Sequence, residues 1–168
     1  MTEDEYFSSH IPHRVNLLST FRERYSPSGS RREFPFGEPR DFFRCSKDIS
    51  ILMVRFFCDE LGLYLPKNAT DLKERTPMPN RGFKVRPFTK LEVAGDSRYG
   101  SLLAVLRAAN RAVAHIECSE VDHPFKVEKD HEMLFEVITW IEDVIQSHMY
   151  APNHLRLTDA MKHPSNQM

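Results

Sequence analysis

Cysteine is scarce in this chain: Cys45, Cys58 and Cys118 are the only three in 168 residues. An odd number, widely spaced and without a CxxC pair, argues against a disulfide framework and predicts reduced thiols. Charge of one sign is also missing. The 23 Lys and Arg residues face 24 Asp and Glu residues, for a net charge of -1, so no global field draws the chain to nucleic acid or anionic lipid. The longest apolar stretch is short and broken by Arg55, far below the roughly 20 residues of a membrane helix. The opening MTEDEYFSSH lacks a basic region followed by an apolar run, so no secretory signal is visible and a cytoplasmic, membrane-free protein is expected. No Gly-rich phosphate loop, zinc spacing or internal repeat occurs, and neither a cofactor nor a metal is expected.

Apolar residues make up 40% of the chain and charged residues 28%, which suits one globular domain with a core of useful size. Helical periodicity marks four segments. Ile11, Val15, Leu18, Phe21 and Tyr25 stripe the first, about 11–25, and SPSGS ends it. The second opens at Pro39 and runs to about Tyr64. Phe42, Cys45, Ile49, Leu52 and Phe56 form its stripe, while Ile51, Met53, Val54 and Phe57 make its middle apolar nearly all round, as in the central helix of a bundle. Leu102, Leu106, Ala109, Val113 and Ile116 form a narrow seam on the third, about 98–116. The fourth, about 130–150, is capped by Asp130 and carries Leu134, Val137, Ile138, Ile141, Val144, Ile145 and His148 at the helical period. The expected fold is all-α: a four-helix bundle with a long irregular excursion between helices 2 and 3. Residues 1–150 form the bundle domain, and 151–168 a polar C-terminal tail.

The excursion, 66–98, is interrupted by Pro66, Pro77, Pro79, Pro87, Gly82 and Gly95. Such long stretches without regular structure are uncommon in compact domains and often functional. Within it, 82–88 alternates weakly, as a short strand or hairpin would. Seven basic residues (Lys67, Lys73, Arg75, Arg81, Lys84, Arg86 and Lys90) outnumber Asp71 and Glu74. That local excess suits a phosphate backbone, with Phe83 and Phe88 as stacking faces. It equally suits an ordinary exposed loop whose aromatics anchor it to the core.

The third segment carries RAANRAVAHI, residues 107–116. At about 100° per residue, Arg107, Arg111 and His115 fall on one face opposite the seam, together with the small Ala104 and Ala108. A guanidinium fork suits a phosphate, and a histidine near neutrality moves protons. His115 as proton acceptor from a 2′-hydroxyl, with Arg111 on the phosphate, would cleave RNA without a metal.

These residues resemble the motif of the HEPN superfamily, small helical bundles that often dimerise. That motif is an arginine, then commonly Asn, Asp or His, three residues, and a histidine, near the end of a late helix. Here Asn110 occupies the arginine position, Arg111 the following polar one, and His115 matches the histidine. The resemblance implies a homodimer and either a metal-independent ribonuclease or an inactive partner in a toxin–antitoxin or nucleotidyltransferase pair. In the catalytic version the site residues are His115, Arg111 and Asn110, the last orienting one of the others, and Arg107, Arg81, Lys84 and Arg86 bind RNA. In the other, the same face is a non-catalytic dimerisation or partner-binding module. Read from the residues alone, it is also an ordinary solvated face, with Arg111 paired to an acid such as Glu117.

Elsewhere, His10 and His13 are spaced as HxxH, but Pro12 and the lack of matching carboxylates argue against a metal. Asp122 and His123 are adjacent in a loop, Cys118 sits beside Glu117 and Glu120, which would raise its pKa, and Trp140 is expected to pack at the edge of the fourth helix.

Overall fold

In a computed structural model of the chain, residues 2–24, 39–77, 84–114 and 128–162 are described. A short turn, α1 (Glu3–Glu5), leads through a wider π-type turn (Tyr6–His10) into α2 (Ile11–Arg24). The α3 helix spans Pro39–Glu60, a two-residue strand pair joins β1 (Leu63–Tyr64) to β2 (Lys73–Glu74), and α4 spans Lys90–Ala94. Then come α5 (Tyr99–Ala114), α6 (Glu128–Ile145), a second π-type turn (Gln146–Tyr150) and α7 (Leu157–Met161). The protein is thus mostly helical, and none of the described helices is long and apolar enough to cross a membrane.

The core follows the periodic residues of three helices closely. Ile11, Val15, Leu18 and Phe21 of α2 are buried; so are Leu134, Val137, Ile138, Ile141, Val144 and Ile145 of α6, and His148 just beyond it. Each fully buried aliphatic or aromatic side chain contributes about 1.5–3 kcal/mol relative to exposure. On α5 the buried face is wider than a seam, because Leu103, Val105 and Ala108 join Leu102, Leu106 and Ala109. Ala108 is therefore covered by the core and is not part of an open small-residue face.

On α3 the structure selects a different stripe from the expected one. Ser50, Ile51, Val54, Phe57, Cys58 and Leu61 are buried, whereas Ile49, Leu52 and Phe56 are only partly covered and Cys45 is exposed. A helix apolar on nearly all sides gives periodicity no single face to select, so its neighbours decide. Here α3 touches α2, α5 and α6. Ser50 is tolerated at full burial because its hydroxyl is satisfied: it accepts from the Phe21 amide at 3.1 Å and donates to the Leu18 carbonyl at 2.7 Å. That pairing fastens α2 to α3. Ser19 and Arg22 fasten α2 to α6 through Glu142.

The helix ends differ from the expected ones: helical turns begin at Glu3 rather than near Ile11, and α3 stops at Glu60, with Leu63–Tyr64 in a strand rather than the helix. α6 starts at Glu128, which puts Asp130 inside its first turn rather than at its cap. Beyond Ile145 the helix widens into the π-type turn, and its Tyr150 hydroxyl donates to the Phe7 carbonyl of the first π-type turn at 2.8 Å. Residues 151–162 carry α7, whose Leu157 is buried.

The described parts of the excursion, 66–77 and 84–98, are pinned by specific contacts. Gly62 adopts φ +87°, which lets the chain reverse out of α3, and its carbonyl accepts from the Arg75 amide at 2.8 Å. β1 pairs antiparallel with β2, Leu63 opposite Glu74 and Tyr64 opposite Lys73, so the strands lie upstream of the 82–88 stretch. Lys84 to Phe88, the described part of that stretch, forms no strand. Leu65, Leu72, Phe88 and Val93 anchor the segment in the core. A capping box starts α4: the Thr89 hydroxyl accepts from the Glu92 amide, and the Glu92 carboxylate accepts from the Thr89 amide.

Candidate phosphate-binding cleft on α5

The loop after β1 lies against α5, held by three side chains of that helix. The Tyr99 hydroxyl donates to Asp71, Arg107 donates to the Thr70 carbonyl at 3.0 Å, and Asn110 donates to the Leu65 carbonyl at 3.1 Å. Asp71 also receives Lys90 Nζ, and these bonds, the lysine first and the tyrosine next, hold its carboxyl down at about 2. Within the loop, Asn68 takes φ +65°, which asparagine tolerates, and the Ala69 amide closes a turn on the Pro66 carbonyl.

Between this loop and the C-terminal half of α5 lies an open cleft of about 340 Å³. Among the described residues its lining is Leu65, Pro66, Lys67, Asn68, Ala69, Arg107, Asn110 and Arg111. Three cations therefore share one small cleft. Among the described residues none of the three forms an ion pair with a carboxylate. Elsewhere pairing is common: Arg22 with Glu142, Arg55 and Arg75 with Asp59, Arg86 with Glu92, Lys90 with Asp71, and Arg98 with Asp96. Arg111 and Lys67 are exposed, and Arg107 spends one of its five donors on Thr70. Gathering like charges without counter-charges costs energy that a bound anion would relieve.

The predicted site residues divide into three groups. Arg107, Asn110 and Arg111 line this cleft. The amide nitrogen of Asn110 is committed to the Leu65 carbonyl, where it positions the loop. Lys84 and Arg86 do not line the cleft. The Lys84 backbone pairs with Asn153, and Arg86 pairs with Glu92 at 2.8 Å and approaches His148. His115 and Arg81 lie outside the described residues, as do Phe83, Glu117, Cys118, Asp122 and His123. Phe88 offers no stacking face, because it is buried edge-on against Trp140 and His148. Trp140 is buried as well, with the Arg98 guanidinium 4.5 Å above its ring.

Lys67 and Asn68 were not singled out by their sequence context. Lys67 stood in the basic run, but only the loop's return onto α5 selects it from seven such residues. His10 stacks on Tyr6 and contacts Arg14, and His13 is exposed. Among the described residues no group of three His, Cys, Asp or Glu side chains is arranged to hold a metal.

A second titratable cluster sits under α4. His148 is buried; its Nδ1 faces the Val144 carbonyl at 3.1 Å and the Ser147 hydroxyl at 2.8 Å. Its Nε2 has no hydrogen-bond partner, and the Glu92 carboxylate stands 3.6 Å away, too far for a good bond. Burial first, and the Arg86 charge next, lower its pKa from the usual value, which favours the neutral ring.

Comparison with known proteins returned no match among family models, curated proteins or solved structures. The geometry of the cleft therefore carries the functional argument.

Proposed function

We propose that this protein is a HEPN-like four-helix bundle that binds RNA phosphates in the α5 cleft and cleaves the strand without a metal. The single observation that carries the reading is the convergence of Lys67, Arg107 and Arg111, none paired with a described carboxylate, on one cleft. Pairwise contacts of α3 with α2, α5 and α6 support the bundle. The order Asn110, Arg111 and His115 supports the family, and through it a homodimer.

In the proposed reaction His115 takes the proton of a 2′-hydroxyl. The 2′-oxygen attacks phosphorus, the bond to the 5′-oxygen breaks, and that oxygen takes a proton from solvent while His115 returns the one it took to solvent. The products are a 2′,3′-cyclic phosphate and a 5′-hydroxyl end. Arg111 stabilises charge on the phosphoryl oxygens through its fork, and Asn110 positions the loop that carries Lys67.

The test is cleavage of a mixed-sequence RNA by the purified protein in EDTA. Wild type should yield cyclic phosphate ends, and His115→Ala should slow the reaction by about 10²–10⁴-fold, the usual worth of a general base. Equal cleavage by both proteins would refute the role of His115. Binding without cleavage by wild type would leave a non-catalytic RNA-binding module.

A further inference from the structure

His148 lies buried beneath the segment 84–94, which runs from Lys84 through α4. We infer that this segment is an acid-operated strap: it stays closed over the body while His148 is neutral, and protonation of that ring opens it.

The strap is fastened at the histidine itself. The Arg86 amide donates to the His148 carbonyl at 2.8 Å, and the Phe88 amide to the Leu61 carbonyl at 3.0 Å. The buried Phe88 ring stands edge-on to the imidazole, centroids 5.3 Å apart. With the strap closed, Nε2 is sealed from solvent.

The closed form is poorly suited to a charged ring. From α6 and its π-type turn, Nδ1 meets two neutral groups, the Val144 carbonyl at 3.1 Å and the Ser147 hydroxyl at 2.8 Å. Nε2 lacks a partner in either neutral tautomer. A neutral ring forgoes one hydrogen bond there, whereas an imidazolium would bury a donor and a full charge. Among the described residues the charged groups facing the ring come from the strap. The Arg86 guanidinium stands 3.4 Å from Nδ1 and repels an imidazolium. The Glu92 carboxylate, 3.6 Å from Nε2, attracts one, but it already pairs with Arg86 at 2.8 Å and accepts from the Thr89 amide at 3.0 Å. When the strap lifts, Arg86 and Phe88 withdraw and water reaches Nε2. The open form therefore binds the proton more tightly than the closed one, and acid draws the strap open. Opening also loosens the loop of the α5 cleft, which Lys90 ties down through Asp71. The inference stands independently of what that cleft binds.

Native-state amide exchange followed by NMR measures the opening directly. Opening constants of the Arg86 and Phe88 amides, corrected for the intrinsic effect of pH on exchange, should rise at least about tenfold between pH 7.5 and 5. A closed form that resists a proton gains up to about tenfold in opening per pH unit. The Phe21 amide, held by Ser50 between α2 and α3, should not follow. In His148→Gln the constants should be flat with pH. Arg86→Gln removes an exposed guanidinium, and it should shrink the acid response of the Phe88 amide by at least about threefold.

An equal response in wild type and His148→Gln would overturn the inference. So would no response in wild type, or Phe21 and Phe88 responding together, which is global unfolding. If His148→Gln does not fold, an undiminished response in Arg86→Gln overturns it alone.

Discussion

Gly62→Ala tests the link between the reversal after α3 and the cleft. At φ +87° an L-residue is strained, which costs about 1–2 kcal/mol. Space is a second obstacle. A Cβ on Gly62 would lie 2.3 Å from the Arg75 carbonyl oxygen and 3.2 Å from the Pro77 nitrogen. Both are backbone atoms, so the chain after β2 must move, and the Arg75-to-Gly62 hydrogen bond is strained or lost for roughly 1 kcal/mol more. The total is about 3 kcal/mol, or a fall in Tm of roughly 6–12 °C for a chain of this size. Urea denaturation with circular dichroism gives the stability directly, and a thermal melt checks it. Because β1 leads straight into the loop bearing Lys67, RNA affinity should fall as well in the fraction that stays folded. A loss below about 1 kcal/mol would refute the reasoning, since it would mean that the chain reversal at Gly62 does not constrain β2.

Other expectations follow from single contacts. Ser50→Ala leaves the Phe21 amide without its side-chain partner and should lower stability by about 1–3 kcal/mol in urea denaturation. Asp71→Asn removes the charge that gathers Lys90 and Tyr99 at a solvent-screened position, so the urea denaturation midpoint should barely move. Limited proteolysis should nevertheless cut the loop at 65–72 faster, because the Tyr99 and Lys90 ties to α4 and α5 weaken. His148 carries a pH dependence: its folded pKa is depressed, so the unfolded chain binds the proton first as pH falls. Its contribution to stability is full above the unfolded value near 6.5 and is lost as pH drops through the folded pKa. Thermal melts from pH 7.5 to 5 should fall more steeply for wild type than for His148→Gln, and parallel curves would exclude the histidine as the cause.

Much of the helical layout was legible in the amino-acid order. The α6 stripe from Leu134 to His148 is buried residue for residue, because its polar and apolar positions separate cleanly around the wheel. The α4 start has a local signal, Thr89 and Glu92 at capping-box spacing, but at five residues the helix is too short to show periodicity amid the surrounding prolines. The α3 face was not legible. With Ile51, Leu52, Met53 and Val54 in succession, no wheel distinguishes the buried arc, and packing against α2, α5 and α6 chose it. The strand pair has no sequence signature, because two-residue strands carry no alternation.

The candidate site divides along the same line. Arg107 and Arg111 were found from the sequence because four residues make about one helical turn, a purely local relation. Their separation from Lys84 and Arg86, and their union with Lys67 across some forty residues, depend on where the loop lands. By itself the sequence determined where the four long helices lie and which α5 side chains share a face, since both follow from bonds and spacings within a few residues, whereas the short α4 and α7 were not read from it. Only the tertiary structure decided which basic residues meet, because the Leu65, Thr70 and Asp71 ties to α5 are long-range contacts with no local signature.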